Sequence, residues 1–493
     1  MNALLIYPQF PETYWSFKHA LSIEGKRAAQ PPLGLMTIAA LLPDSWRKRL
    51  IDTNVERLKE ADLSWADVVM VSGMQAQQEH LASIIERCRE RGLCTVVGGP
   101  IASSMSAAEL KADHVVIGEA ETLIATLARD LELGEAQHVY EATERPEMES
   151  SPLPDLSLIK MNHYSTMTVQ YSRGCPFNCE FCDIIEIYGR RTRTKAVTQV
   201  LAELDQLYGA GWRAAVFVVD DNFIGNKKRA KELLTAMAEW GRIHDYPFRF
   251  CTEASLNLAD DAELLQLMKD ARFTAVFLGI ETPDERSLIA NQKLQNTKRD
   301  LLESVEVIQK YGIEVMGGFI LGFDTDREDV FDRMVDFIQQ SAIPVAMVGL
   351  LQAMPGTQLF RRMWKEGRIL DAGDGNNTDC KLNYLPRMDA ARLVEGYRSV
   401  LQRIYSRDAY YERVKLLLSR FPSPIKQRLS YANMRAMVSS ILRQGILGRG
   451  RLSYWRFVLT AATRYRQSFG MAMTLAVMGH HFQVMTERMI ERE

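Results

Sequence analysis

The sequence lacks any apolar run of the length that a membrane-spanning helix needs. The stretch 471–479 is too short and is followed by His480 and His481. The first residues also lack the basic segment and cleavage site of a secretory signal peptide, and predict a buried strand instead. Seven cysteines in 493 residues, three of them clustered, are typical of a reducing compartment rather than a disulfide scaffold. We therefore expect a cytoplasmic protein of two or three domains.

A large net charge is also absent, since 60 Lys and Arg face 62 Asp and Glu. This balance by itself neither favours nor excludes a nucleic-acid partner. The charge is unevenly distributed, however: residues 385–493 contain 19 basic and seven acidic side chains, a net charge of +12, which leaves −14 for residues 1–384. A basic C-terminal region on an acidic body indicates an anionic partner.

Three cysteines lie close together in the stretch Ser-Arg-Gly-Cys-Pro-Phe-Asn-Cys-Glu-Phe-Cys, residues 172–182. Cys175, Cys179 and Cys182 can point three thiolates at one place from a single loop. An iron–sulfur cubane takes four ligands, so three cysteines leave one iron open for a substrate. A zinc site with one distant partner is the alternative. The nearest histidine, His163, precedes the expected leading strand, and no second cysteine pair follows at zinc-finger spacing.

The cysteine spacing resembles the cluster loop of radical S-adenosylmethionine (SAM) enzymes, and Phe181 matches the aromatic residue usual there. The resemblance implies a 4Fe-4S cluster whose open iron is chelated by SAM. It also implies that an electron from the cluster cleaves SAM to a 5′-deoxyadenosyl radical. The apolar-rich residues 166–171 predict the strand that leads into the loop.

Residues 1–145 alternate short apolar runs with helix-like segments, which predicts a Rossmann-like, flavodoxin-like parallel sheet wrapped by helices. We expect strands at residues 3–7, 48–52, 68–72, 95–97 and 114–117. Such sheets bind ligands beyond the carboxyl ends of their strands. The turn residues at those ends are Asp52, Asn54, Ser72, Gly73, Met74, Gly98, Gly99, Pro100, Gly118, Glu119, Ala120 and Glu121. Any one of these loops could instead simply make a turn.

Taken together, these loops resemble the cobalamin-binding domain that precedes the radical SAM core in one large class. The matching signatures are Pro31-Pro32-Leu33-Gly34-Leu35, Gly98-Gly99-Pro100 and Gly118-Glu119-Ala120-Glu121. The resemblance implies that the turn residues from Asp52 to Glu119 contact cobalamin. The Asp-x-His-x-x-Gly signature of histidine-on-cobalt proteins is missing, so no histidine from that motif would bind cobalt. Met74 and Gln75 lie on a loop suited to approach cobalt.

Residues 146–164 predict a linker, because prolines, serines and acidic residues are frequent there. Residues 165–360 contain a second alternating series, with strands expected at 166–171, 214–219, 248–252, 275–279, 314–321 and 346–351 and a helix at 300–311. Six β/α units match the partial (β/α)6, TIM-like barrel of radical SAM enzymes. The resemblance implies SAM contacts from the strand ends, at Asp220, Asp221, Asn222, Glu253, Glu281, Ile320 and Gly322. Pro355-Gly356-Thr357-Gln358-Leu359 matches the closing motif of cobalamin-type cores.

Residues 361–493 predict an α-helical domain in which arginines and aromatic residues are interleaved. Membrane headgroups are one candidate partner. Nucleic acid is a rival that we do not expect to bind, and a solvated helical domain without a partner is the third possibility. The residues that would lie at a membrane are Arg449, Arg451, Tyr454, Trp455, Arg456, Phe457, Arg464, Tyr465, Arg466 and Phe469.

The whole chain resembles cobalamin-dependent radical SAM enzymes with a C-terminal helical domain, the family of the hopanoid C-2 methylase and its relatives. The resemblance implies that the deoxyadenosyl radical removes a hydrogen atom from an unactivated carbon of a lipid or other small molecule, and that methylcobalamin delivers a methyl group. It further implies an electron donor such as flavodoxin or ferredoxin. The alternatives are a cyclisation or rearrangement without methyl transfer, a cobalamin-responsive sensor, and an RNA methylthiotransferase. The last would need three further clustered cysteines.

Overall fold

The N-terminal part of the chain folds as a six-stranded, wholly parallel sheet in the order β2-β1-β3-β4-β5-β6. The computed structural model describes residues 1–422, 431–448 and 450–491. The strands are β1 Asn2–Tyr7, β2 Arg47–Asp52, β3 Val68–Ser72, β4 Cys94–Gly98, β5 His114–Ile117 and β6 Val139–Glu141. All five expected strands are confirmed, while β6 was not predicted.

Helices cover both faces of this sheet. They are α2 Leu33–Leu41, α3 Glu60–Trp65, α4 Gln78–Arg89, α5 Pro100–Ser104, α6 Ala107–Leu110 and α7 Ile124–Leu133, whereas α1 Lys18–Glu24 packs against the C-terminal helices through Ala20 and Ile23. Central strands of such a sheet are apolar on both faces. In β1, Ala3 and Leu5 accordingly belong to one core, and Leu4 and Ile6 to the core on the other face.

The segment 146–164 is packed against both neighbouring units. It contains three short 3₁₀ turns, Met148–Ser150, Leu156–Leu158 and Met161–His163. Met148 is buried, and the Tyr164 hydroxyl donates to Asp52 Oδ2 at 3.0 Å. The linker therefore fixes the first sheet against the next unit.

Residues 166–350 form a second parallel six-stranded sheet, in the order β7-β10-β11-β12-β13-β14. Its strands are β7 Thr166–Val169, β10 Ala215–Val218, β11 Arg249–Ala254, β12 Phe273–Glu281, β13 Glu314–Leu321 and β14 Ala346–Leu350. A short antiparallel pair, β8 Ser172–Arg173 and β9 Arg193–Thr194, follows β7. The helices are α8 Ile184–Ile187, α9 Val197–Gly209, α10 Lys227–Ile243, α11 Ala262–Asp270, α12 Glu285–Ala290, α13 Leu301–Lys310 and α14 Val330–Gln340. The six expected strands and the helix at 300–311 are confirmed.

The remaining chain is mostly helical, with α15 Gln358–Lys365, α16 Ala390–Tyr405, α17 Arg407–Arg420, α18 Tyr431–Ser440, a π-helical segment Ile441–Ile446, α19 Arg451–Arg464 and α20 Phe469–Glu491. No helix in the described ranges is long and apolar enough to cross a membrane. The N-terminal segment is held by α20, because Tyr14 stacks near Phe482 and its carbonyl contacts His481 Nε2 at 2.9 Å.

The expectation of a helical chain from residue 361 is wrong for residues 366–389. Residues 371–381, here called the strap, form a series of turns in which Asp and Asn side chains accept from the backbone N–H two residues further on. Such local bonds compete with helix formation. The strap lies across the end of β14, where Leu350 N donates to Asn377 O at 2.8 Å.

Candidate active site

The loop that carries the three cysteines begins at a glycine that no other residue can replace without strain. Gly174 has φ +89°, and a Cβ there would lie 2.7 Å from Arg191 O and 2.8 Å from Gly189 O. Cys175 N donates to Gly189 O at 3.2 Å, and Cys182 N donates to Cys179 O at 3.2 Å. The β8–β9 pair and the turn after α8 thus hold both sides of the loop.

Two of the three thiols have hydrogen-bond donors from outside the loop. Asn222 Nδ2 lies 3.6 Å from Cys175 Sγ, and Gln295 Nε2 lies 3.5 Å from Cys179 Sγ. Burial raises the pKa of Cys175 and of Cys182, and the neighbouring Cys179 adds to both shifts. Cys175 and Cys182 therefore lie in desolvated surroundings close to Cys179.

This donor set fits an iron–sulfur cluster, since N–H donors directed at the sulfurs are one of the means by which proteins tune such clusters. Within the described residues, no group of three or more Cys, His, Asp or Glu side chains is arranged to hold a single metal ion.

The predicted carboxylates after β10 are already engaged with the cysteine loop. Asp220 accepts from Tyr171 N at 2.8 Å and from Ser172 Oγ at 2.7 Å, and Asp221 accepts from Gly174 N at 3.1 Å. Burial raises the pKa of Asp220 to about 7 and that of Asp221 to about 6. Both residues hold the loop, and their contact with SAM stays a prediction.

Glu253, at the inward-facing end of β11, is different. No hydrogen bond from the described residues reaches its carboxylate. Burial raises its pKa to about 7, and the charges of Asp221 and Asp220 add to this shift. Of the predicted SAM residues with a carboxylate, Glu253 is the one that remains available to a ligand.

Glu281 lies at the end of β12 with φ +67° and pairs with Lys293 Nζ at 2.6 Å. Gly279 makes room for this carboxylate, because a Cβ there would overlap Glu281 Oε1. Burial opposes the charge of Lys293, but Glu281 and the thiols Cys179 and Cys182 raise its pKa overall. Lys293 therefore places a positive charge beside the cysteine loop.

The end of β13 contacts the chain that follows the barrel. Gly322 has φ +109°, its carbonyl accepts from the Tyr384 hydroxyl at 2.6 Å, and its N–H donates to Asp326 Oδ2 at 2.8 Å. Ile320, on the inward side of the same strand, stays partly accessible. The predicted SAM contacts Ile320 and Gly322 thus lie beside Tyr384, a residue that no sequence motif indicated.

At the loop edge of the first sheet, the predicted polar side chains bind protein groups. Asp52 accepts from Tyr164 and from Asn54 N at 2.9 Å, and Asn54 accepts from Phe10 N at 2.9 Å. Met74 is 52% exposed, whereas Gln75 is buried and donates to Ala372 O at 3.1 Å and to Gly373 O at 2.8 Å. Gln75 therefore joins the first domain to the strap.

The glycines at this edge form a backbone cradle. Gly99 has φ +81°, and a Cβ there would overlap Ser72 Oγ, while Gly73 O accepts from Ile101 N at 3.1 Å. Gly98 and Pro100 flank Gly99, and Gly118 has φ +90°. A cradle made of backbone suits a large cofactor that needs close approach, so the edge fits cobalamin.

Glu119 is buried in the interface between the two sheets. It pairs with Arg173 at 2.6 Å and with Arg193 at 2.6 Å, and Glu121 pairs with Arg173 at 2.7 Å. Burial alone would raise the pKa of Glu121, but the charge and hydrogen bond of Arg173 lower it overall. Because Arg173 directly precedes Gly174, these ion pairs connect the predicted cobalamin edge to the cysteine loop.

Two predicted membrane residues of the C-terminal domain are core residues instead. Tyr454 and Phe457 are each 1% exposed. The Tyr454 hydroxyl pairs with Ser440 Oγ at 3.1 Å, and Phe457 stacks on Tyr411 at 4.6 Å. Trp455 and the arginines Arg451, Arg456, Arg464 and Arg466 are exposed, Tyr465 and Phe469 are partly buried, and Arg449 lies outside the described residues.

Three protein families match the chain in succession. The B12 binding domain matches residues 27–128, the radical SAM superfamily matches residues 169–338, and a domain of unknown function, DUF4070, matches residues 357–493. These ranges agree with the two sheets and the helical region.

Curated relatives match nearly the whole chain. An uncharacterized methyltransferase of Synechocystis sp. is 41% identical over 98% of this chain and 91% of its own length. The hopanoid C-2 methylase of Rhodopseudomonas palustris is 36% identical over 94% of this chain and 89% of its own length.

A solved structure shares the fold. The radical SAM methyltransferase TsrM from Kitasatospora setae, with cobalamin and a 4Fe-4S cluster bound, superposes with a TM-score of 0.62 at 14% identity. The match covers 94% of this chain and 99% of that one. The chain belongs to the cobalamin-dependent radical SAM methyltransferases, whose cofactors are a 4Fe-4S cluster, SAM and cobalamin.

Proposed function

We propose that the enzyme methylates an unactivated carbon of a hopanoid-like lipid or of another small molecule with a comparable apolar skeleton. The name of the relative from Rhodopseudomonas palustris supports the substrate class. The observation that carries the proposal is the lining of the barrel.

Along β10, β12 and β13, alternate side chains are buried while the intervening ones stay partly accessible. The accessible ones include Phe217, Phe277, Met316 and Ile320. Trp15, which is 45% exposed, lies 5.5 Å from Phe277. Apolar and aromatic linings bind apolar ligands, so this interior favours a hydrocarbon substrate.

When bound, the cluster, SAM and cobalamin supply the radical that removes hydrogen and the methyl group that replaces it. The residues of this chain position and enclose these groups. Cys175, Cys179 and Cys182 would hold the cluster, and Glu253 would accept a hydrogen bond from the SAM ammonium group. The remaining predicted SAM residues, which shape the surroundings of the cysteine loop, are Asp220, Asp221, Asn222, Glu281, Ile320 and Gly322.

The cobalamin would lie against the cradle of the first domain, with the loops at Ser72, Gly98 and Gly118 beneath it. Support comes from the glycine backbone at these strand ends and from the strap, which Gln75 holds over the same edge. Because the Asp-x-His-x-x-Gly signature is missing from the sequence, no histidine from that motif can bind cobalt.

We also propose that a flavodoxin or ferredoxin docks beside the cysteine loop. Arg190 is exposed and donates to Pro176 O at 3.3 Å, one residue after Cys175. Arg191 is also exposed. These guanidinium groups suit an acidic electron donor, because complementary charge accelerates such encounters.

The experiment is an anaerobic incubation of reconstituted enzyme with methylcobalamin, a cell lipid extract and SAM that carries a deuterated methyl group. After cobalt has been remethylated from SAM, a lipid product in which a CD3 group replaces one hydrogen atom is expected, and the Cys175→Ala/Cys179→Ala/Cys182→Ala variant should not form it. Labelled products confined to water-soluble compounds would overturn the substrate class. A rearranged product without label would favour the cyclisation alternative.

A further inference from the structure

An unusual apolar surface lies on the C-terminal domain. It is formed by α18, the π-helical segment and α19, which expose side chains by 37–79%. Single exposed apolar residues are ordinary, but large contiguous patches mark interaction sites. The residues of this apolar face are Met434, Val438, Leu442, Ile446, Leu447, Leu452, Trp455 and Leu459.

The spacing of these residues places them on one side of each helix. Residues 434, 438, 442 and 446 recur every four positions, and residues 452, 455 and 459 recur every three or four positions. The opposite sides of the helices pack together, as Ser440 pairs with Tyr454. Trp455 Nε1 donates to Gly445 O at 2.9 Å. The partly exposed indole therefore lies at the seam and connects the two helical stripes into one surface.

The segment of chain that carries this face has charges of one sign. The sequence has no Asp or Glu between Glu412 and Glu487, whereas twelve Lys and Arg lie in that interval. Six of the arginines belong to the described residues and are exposed: Arg435, Arg443, Arg451, Arg456, Arg464 and Arg466. Arg435 and Arg443 donate to neutral groups, Glu24 O at 2.6 Å and Ser22 Oγ at 2.7 Å.

We propose that the apolar face docks on the surface of an anionic lipid bilayer. The aliphatic side chains enter the boundary between headgroups and acyl chains, and the arginines bind lipid phosphates. This inference goes beyond the proposed reaction and stands without it. The proposed contact is made by exposed aliphatic residues that no sequence motif indicated. Tyr454 and Phe457 are buried and take no part in it.

Two other occupants fit the observations less well. Nucleic acid takes basic residues together with stacking aromatics, but seven of the eight residues of the face are aliphatic. A second copy of the chain in a two-fold contact would present the same surface on both sides. Arginine would then lie near arginine, without the acidic side chains that could offset the repulsion.

The test is co-sedimentation of the full-length chain with vesicles of phosphatidylglycerol and phosphatidylcholine, and with phosphatidylcholine alone. Two variants remove the proposed contact, Leu447→Ser/Leu452→Ser and Arg451→Gln/Arg456→Gln. Two matched controls change side chains of similar exposure elsewhere, Leu133→Ser/Ile243→Ser and Arg242→Gln. Thermal unfolding checks that all four variants fold.

We expect salt-sensitive binding to the anionic vesicles and little binding to neutral ones. Each arginine near an anionic surface contributes about fivefold in affinity, so the arginine variant should bind at least about tenfold more weakly. The leucine variant should lose a comparable factor, and both controls should bind normally. Because the vesicles contain no substrate, a failure of lipid methylation leaves this result unaffected.

Four outcomes would overturn the proposal. They are no binding to anionic vesicles, an equal loss in the controls, binding to RNA but not to vesicles, and a dimer in solution that the leucine variant dissociates.

Discussion

The cysteine loop and the loop edge of the first sheet, here called the cobalamin edge after its predicted ligand, both lie at carboxyl ends of parallel strands, yet they suit their predicted ligands differently. The cysteine loop carries three ligands within eight residues, so local spacing alone specifies the site. The cobalamin edge is a backbone cradle, and its polar side chains Asp52, Asn54 and Glu119 bind neighbouring protein groups instead. A site made of side chains can therefore be predicted residue by residue from the sequence. For a site made of backbone, the sequence indicates only its place in the fold.

The largest effect is expected at the cysteine loop. The variant Cys175→Ala/Cys179→Ala/Cys182→Ala should lose the cluster and all SAM cleavage, because no other cysteine of the described chain lies beside this loop. Iron analysis, paramagnetic resonance with and without SAM, and 5′-deoxyadenosine formation measure the loss. Cys94→Ala, in β4 of the first domain, is the control and should keep the cluster. Full SAM cleavage by the triple variant would contradict the assignment.

The ion pairs between the two sheets test whether Glu119 serves the interface. Glu119→Gln leaves Arg193 buried without its carboxylate, so the free energy of unfolding should fall by about 3–5 kcal/mol. Methyl transfer per SAM cleaved should also fall, because the cradle is no longer fixed to the cysteine loop. Chemical denaturation and product ratios measure both effects. The exposed Glu149→Gln is the control.

The cobalamin affinity of the Glu119→Gln variant shows whether Glu119 serves the ion pairs with Arg173 and Arg193 or contacts cobalamin. Unchanged affinity in the folded variant supports the interface role, whereas a large loss of affinity would return Glu119 to the predicted cobalamin contacts.

Glycine variants test whether the backbone cradle is needed for cobalamin binding. Gly99→Ala forces a Cβ onto Ser72 and should weaken cobalamin binding about tenfold, because the backbone at this edge shifts. Gly92→Ala is a matched control, since Gly92 also has positive φ but open space around its Cβ position. It should cost about 1 kcal/mol of stability and leave cobalamin binding unchanged.

The paramagnetic resonance spectrum of cobalt in bound cobalamin should show no coupling to a protein imidazole nitrogen. A coupled nitrogen would contradict the prediction and would direct attention to His80, whose Nδ1 accepts from Gln9 N at 2.7 Å.

A smaller effect concerns pH. The pKa of Glu253 is about 7, so its carboxylate becomes charged as pH rises through that value and SAM affinity should increase severalfold between pH 6 and 8. The sign for stability is opposite: the unfolded carboxyl loses its proton near its ordinary pKa, so the free energy of unfolding falls as pH rises from about 4.5 to 7. Glu253→Gln should flatten the pH dependence of SAM affinity and reduce that of stability by the share of one group, because Asp220 and Asp221 titrate in the same range; calorimetry with SAM and pH-dependent unfolding measure the two effects. An unchanged profile would assign the titration to another group.

The smallest effect is expected for electron delivery. Arg190→Glu/Arg191→Glu should slow turnover severalfold with reduced flavodoxin at low salt, because the docking charge is reversed. Turnover with dithionite should be unchanged, and Arg242→Glu is the control. Equal rates with both reductants would place the docking surface elsewhere.

The sequence predicted the strands well because each is an apolar run between turn residues, as in β1 and β3. It also indicates three candidate cluster ligands, because their spacing is local. It could not supply Lys293 and Gln295, since they reach the cysteine loop from about 115 residues further along the chain. The strap is not evident from the sequence, because its side chains accept hydrogen bonds from backbone N–H groups two residues further on. Residues 371–381 also fall within a region predicted to be helical.

Helical periodicity also failed at α19. The interleaved arginine and aromatic residues of α19 predict a membrane-facing helix. Which of these side chains are buried depends, however, on the side of α19 that packs against α17 and the π-helical segment. That choice placed Tyr454 and Phe457 inside and left the aliphatic residues outside.

The contact between Tyr14 and α20 also sets an order of events during synthesis. His481 is separated from Tyr14 by 467 residues. Ribosomes add about 5–20 residues per second, so Tyr14 waits on the order of half a minute for its partner. All strands of the first sheet end by residue 141, and this domain can form during the wait. The newborn chain thus exposes its predicted cobalamin edge before the strap and the last helix have been made.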